Sequence, residues 1–184
     1  WAQLPIEFLE AQGARIAALL SAKQENGTLA NHALPRLAEL CDSLEQPAPL
    51  GLEKLRPLAE GFETLPSPSL PADLTATLRP YQAQGVAWLQ FLQRAGLGGV
   101  LADDMGLGKT LQTICALGPK SLVVCPTSVL PTWLSELRRF RPTLTVNAYH
   151  GPNRALDDAD VTVTTYAILR LDLSQLQARQ WSAT

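Results

Sequence analysis

Residues 99–110 read GVLADDMGLGKT, and they are the part of the chain best equipped for chemistry. Glycines at Gly106 and Gly108 let the backbone bend so that successive N–H groups face one concavity. Such a concavity at a helix N-terminus binds phosphate. Lys109 adds a flexible point charge for β- and γ-phosphates, and the Thr110 hydroxyl can ligate Mg²⁺. The general pattern G-x-x-x-x-G-K-[ST] has glycine where this chain has Asp103. The plain alternative is a glycine-rich turn with a surface lysine. An apolar run before the loop, a helical pattern after it and the GKT triplet favour a nucleotide-phosphate loop.

Other reactive residue types offer less. Cys41, Cys115 and Cys125 are scattered, odd in number and without a CxxC pair, which points to a reducing compartment. His32 and His150 stand 118 positions apart with no Cys or carboxylate cluster beside them, so no zinc site is expected.

The elements that must hold the loop follow from periodicity. Helices are predicted over residues 5–24, 31–44 and 52–62, the first with a partial stripe of Ile6, Leu9, Ile16, Leu19 and Leu20. Asn26-Gly27 ends the first, and Pro5 and Pro35 suit first turns. Residues 64–71, TLPSPSLP, read as a stiff extended linker. Beyond it the pattern alternates: helices over 81–95, 109–117 and 128–140, and strands over 98–102, 121–125, 144–149 and 160–164. Strands alternating with helices of this length imply a parallel sheet with crossovers. The expected organisation is a helical module at 1–64, a Pro-rich linker at 65–77 and an α/β lobe at 78–184.

Composition sets outer limits. With 46% hydrophobic and 17% charged residues among 184, a sizeable core is expected and global disorder is not. No apolar run approaches the ~20 residues of a membrane span. No basic stretch followed by an apolar core opens the chain, so no secretion signal is expected and the protein reads as cytoplasmic, or nucleoid-associated if bacterial. The net charge of −2 divides into −5 for residues 1–78 (ten acids, five bases) and +3 for residues 79–184 (seven acids, ten bases). That acidity argues against a dedicated nucleic-acid module, but not against an enzyme whose second half meets a phosphate backbone.

Five strings, taken in order, go further: LRPYQAQGVAWL (78–89), LADDMGLGKTLQTI (101–114), LVVCPTSVLPTW (122–133), YHG (149–151) and DVTVTTYAILR (160–170). Together they resemble the Swi/Snf-type ATPases, superfamily-two helicase relatives that translocate on double-stranded DNA. The resemblance covers residues 78–184. It implies a RecA-like lobe, ATP and Mg²⁺ as ligands and an acid at Asp103. It assigns Gln82 to reading adenine, and Asp103, Asp104, Met105, Gly106, Leu107, Gly108, Lys109, Thr110 and Leu111 to the phosphates. Lys109 and Thr110 become the catalytic pair, with Thr110 on the metal. Pro126, Thr127 and Ser128, and later Thr164, Thr165 and Tyr166, become the segments nearest the DNA. Helix caps and strand ends explain these threonines and serines equally well. His150 reads as a turn residue, Trp88 and Trp133 as core anchors, and Arg138, Arg139 and Arg141 as a solvated basic face.

The same family carries an Asp-Glu pair that positions Mg²⁺ and the attacking water. Nothing after Thr165 supplies it. The chain, which starts at Trp1, is therefore expected to be an N-terminal fragment of a DNA translocase that cannot sustain hydrolysis alone, because phosphoryl transfer depends on positioned charge. A missing central strand would also leave sheet edges open to self-association. Two rival functions remain at this point: another phosphate-loop enzyme such as a small-molecule kinase, and a non-enzymatic docking module centred on residues 1–64.

Overall fold

The computed structural model describes residues 6–24, 28–47 and 65–184. The helix expected over 52–62, the Asn26-Gly27 stop and Pro5 lie outside them. The chain divides into two compact units, the first comprising residues up to Leu65 with Phe91–Gly98, the second Pro66–Gln90 with Gly99–Thr184.

In the first unit α1 (Ile6–Ser21) and α2 (Leu34–Ser43) are joined through a 3₁₀ turn at Asn31–Ala33. Pro35 sits in the first turn of α2, where its missing N–H has no helical partner to lose. Leu19, Ala33 and Leu40 form the core, flanked by Ile16, Leu29 and Leu37. Leu20, expected on the apolar stripe, is 65% exposed: Leu19 takes the core position and the next residue turns outward by a third of a helical turn. Asn31 Nδ2 donates to the Ala95 carbonyl (2.6 Å), and Gly96 ends that stretch at φ +65°.

The second unit is a partial RecA-like α/β lobe. Helix α3 (Pro80–Ala95) enters it and α4 (Lys109–Ala116) follows the glycine loop. Strand β1 (Ser121–Cys125) leads through a 3₁₀ turn at Thr127–Val129 into α5 (Leu130–Phe140). Then come β2 (Val146–Ala148), β3 (Val161–Thr165), α6 (Tyr166–Leu171) and α7 (Leu173–Gln177). The three strands form one parallel sheet in the order β1-β3-β2. All five residues of β3 are buried, as in a central parallel strand covered on both faces. On one face Val123, Cys125, Val161 and Val163 pack with Ile114, Leu130 and Leu137, and Trp133 closes that cluster. On the other, Leu122 meets Tyr149, Ile168 and Leu176.

The strand expected over 98–102 does not form. Residues 97–104 have no regular structure, and Val100 is 82% exposed. A strand needs a ladder, and the pairing seen on β1's side away from β3 is a parallel bridge to Ala183. β2 is shorter than expected because Thr145 is held by Asp160, its N–H and hydroxyl donating to Oδ2 at 2.9 and 2.7 Å.

The Pro-rich stretch has neither helix nor strand over 65–71, yet it is pinned. Gln90 clasps the Ser69 backbone in both directions (2.7 and 3.0 Å). Asp73 pairs with Arg141 (2.6 Å), and Thr75 caps the carbonyls of Arg139 and Phe140 (2.6 and 3.1 Å). Arg141 therefore leaves the solvated basic face expected for it, because its guanidinium pairs with the half-buried Asp73 carboxylate. Arg138 and Arg139 stay exposed.

Candidate functional site

The glycine loop is shaped by backbone geometry first. Gly106 and Gly108 have φ of +85° and +75°, a region costly for any residue with a Cβ. Gly108 is the N-cap of α4, so the free N–H groups of that helix's first turn open onto the loop. A Cβ at Gly106 would meet nothing within 4 Å, so the space before it is open. Lys109 folds back across the loop. Its Nζ donates to the carbonyls of Asp103 (2.6 Å) and Asp104 (2.8 Å). Ammonium and helix N-terminus thus belong to one short loop, and a cation beside free N–H groups is a donor set that suits a polyphosphate. Thr110 and Leu111 are half-buried on the first turn of α4, and Met105 at the tip is 97% exposed.

Gln82 is placed beside this loop, only 7% exposed. Its Oε1 accepts from the Arg79 N–H (3.0 Å) and its Nε2 donates to the Leu107 carbonyl (3.1 Å). Tyr81 also donates to Leu107 O, at 3.3 Å. Gln112 was not singled out in the sequence. It is wholly buried and donates to Asp103 Oδ2 at 3.0 Å. Its signal was a polar residue inside the apolar stripe of Leu111, Ile114 and Cys115.

The remaining segments gather by register. Cys125 pairs with Thr165 and Ala148 with Val163, so the C-terminal ends of the strands share one edge of the sheet. That edge is where open α/β sheets bind ligands. Pro126, Thr127 and Ser128 leave β1 there, all exposed, and Tyr166 leaves β3 with 61% exposure. Thr164 and Thr165 are different: both are buried, and their hydroxyls are engaged within the lobe. Thr164 donates to the Tyr149 carbonyl (2.8 Å), and Thr165 accepts from the Ile168 N–H (3.4 Å) as the N-cap of α6. A hydroxyl so committed positions the edge rather than presenting itself to a partner. His150 is exposed beyond β2, and Trp88 is half-buried on α3.

A polar network sets the turn after β2. Arg154 makes two contacts to Asp172, and the Tyr149 hydroxyl donates to Asp172 Oδ2 at 2.8 Å. Hydrogen bonds from Arg154 and then Tyr149 hold the Asp172 carboxyl below the usual range. Burial, reinforced by Asp172, pushes the Tyr149 phenol up. Asp172 follows Thr165 as the last acid in the chain, and it is spent on this network.

The family model described as SNF2-related domain matches residues 81–184. The TATA-binding protein-associated factor mot1 of Schizosaccharomyces pombe is 41% identical over a match covering 62% of this chain and 7% of that protein. The YwqA protein of Bacillus subtilis is 39% identical over a match covering 65% of this chain and 15% of its own length. The SWI2/SNF2 ATPase core of Sulfolobus solfataricus, solved in complex with double-stranded DNA, aligns with a TM-score of 0.57 and 42% identity. That match covers 65% of this chain and 27% of the solved one. This chain therefore spans a small part of each relative. With a family match over more than half its length, the chain belongs to the SNF2-related domain family.

Proposed function

We propose that the second unit is the front part of the first lobe of an ATP-dependent motor acting on double-stranded DNA. The observation that carries this is the Lys109 ammonium folded onto the glycine loop at the N-terminus of α4, behind left-handed Gly108. ATP with Mg²⁺, when bound, supplies the phosphoryl group whose hydrolysis drives the motor. Asp103 to Leu111 hold the phosphates, Thr110 the metal, and Gln82 reads the base once its amide leaves Leu107. Pro126, Thr127, Ser128 and Tyr166 face the DNA backbone, with Thr164 and Thr165 holding that edge in place. Hydroxyls and N–H groups at helix starts suit phosphate oxygens. The first unit serves as a structural module of the parent protein.

The 184 residues bind nucleotide without turning it over. Asp172 is engaged by Arg154 and Tyr149 and has no glutamate beside it, so the charge positioning that hydrolysis needs is lacking. A kinase-like reading has no comparable support at the strand ends. The test is titration of the 184-residue chain with a fluorescent ATP analogue and Mg²⁺, alongside Lys109→Ala. Saturable binding by the parent chain, lost in Lys109→Ala, with no steady-state phosphate release, is the expected result. Binding indifferent to Lys109, or sustained turnover, overturns it.

A further inference from the structure

Three donors from two helices converge on a single carbonyl. Leu107 O accepts from Gln82 Nε2 (3.1 Å) and Tyr81 Oη (3.3 Å) of α3, and from Gln112 Nε2 (3.5 Å) of α4. The peptide joining Leu107 to Gly108 is planar and trans, so its carbonyl and its N–H point in opposite directions. Pinning the oxygen against the helices aims the Gly108 N–H away from them.

Gln112 is the member of this set whose place is most constrained. Its side chain is fully buried. Its Oε1 has no hydrogen-bond partner and rests against Gly85. A Cβ at Gly85 would lie 1.9 Å from that oxygen. The opposite amide orientation would set the oxygen against the Asp103 carboxylate and the Leu107 carbonyl, acceptor to acceptor. The glycine therefore makes the notch in α3, and the glutamine of α4 fills it. Glutamate at this position would set carboxylate against carboxylate. A thioether of similar length would fill the notch without donating.

We propose that Gln112, seated in the Gly85 notch, is a positioning residue. With its bonds to Asp103 and Leu107 it sets the direction of the Gly108 N–H toward a bound phosphate. This rests on the nucleotide-loop reading above, and the interlock itself is measurable without nucleotide.

The experiment compares the parent 184-residue chain with Gly85→Ala, Gln112→Ala, the double variant and Gln112→Met, by thermal unfolding and by titration with a fluorescent ATP analogue and Mg²⁺. Gly85→Ala is expected to lower the unfolding midpoint in the parent background and to add no further loss in the Gln112→Ala background, the signature of a shared contact. Gln112→Met, which keeps the packing, is expected to hold the midpoint while weakening nucleotide affinity about tenfold, the scale of losing hydrogen bonds that orient a binding group. Parent-like affinity in Gln112→Met overturns the positioning role while leaving the nucleotide reading intact. Equal damage by Gly85→Ala in both backgrounds overturns the interlock. No saturable binding by the parent chain overturns the nucleotide reading and the positioning role together, whatever the unfolding data give.

Discussion

Gly108 is under two separate constraints, and they can be told apart. Its φ of +75° penalises any Cβ by about 1–2 kcal/mol. A Cβ there would also come within 2.5 Å of Gln82 Nε2, forcing that amide off Leu107. Gly106 has the first constraint without the second, since its φ is +85° but its surroundings are open. Gly108→Ala should therefore unfold at a lower temperature than Gly106→Ala, and differential scanning of both variants reads the difference. Equal midpoints would show that Gln82 yields without cost. The importance of both glycines was legible in the sequence, because GLGK before a helix demands left-handed turns. The role of Gln112 was not, because one polar residue on an amphipathic helix looks like any other until the glycine it faces is known.

At the level of elements, caps decide where the C-terminal edge of the sheet gives way to helix. Thr165 ends β3 and caps α6 through its hydroxyl, fixing where Tyr166 emerges. Thr165→Ala should destabilise the lobe by about 1 kcal/mol and Thr165→Ser should restore most of it. Urea unfolding of the two variants checks this, and equal losses would mean that the methyl group matters rather than the oxygen. Leu137 lies on α5 with no exposed surface, facing Val161 and Val163 in the core. Strands 121–125 and 160–164 and the helices around them were legible from apolar runs and 3.6-residue spacing, to within a residue or a turn. The strand expected at 98–102 failed because apolar character does not supply a hydrogen-bond partner. Pairing is a property of the sheet, and among the described residues no strand pairs with this segment.

Across the molecule, the response to acid is set among the described residues by Asp73, Asp160 and Asp172. Burial would raise the Asp73 carboxyl, but hydrogen bonds from Thr143 and Arg141 outweigh it and hold it below its ordinary 3.8. Bonds from Thr145 do the same for Asp160, and Arg154 for Asp172. A carboxyl depressed in the folded state takes up its proton at higher pH when unfolded. Its stabilisation is complete above the unfolded value and is lost as pH falls through the folded one. Stability should thus fall as the medium drops below about pH 4. Asp73→Asn should be less stable than the parent chain at pH 7, and the two should converge toward pH 2. Denaturant midpoints across that range test this, and parallel curves would remove Asp73 from the account.

Sequence alone determined the family, the glycine loop, the parallel α/β character and the absence of an acid pair after Thr165, because each is written in residue identity and local spacing. Tertiary structure decided that Thr164 and Thr165 turn inward, that Arg141 serves Asp73, that the Pro-rich stretch is stapled down and that Gln112 fits against Gly85. The physical reason is common to all four. Each depends on which group the fold brings into contact, as hydrogen-bond partner or as steric neighbour, and a polar side chain takes its role from those surroundings.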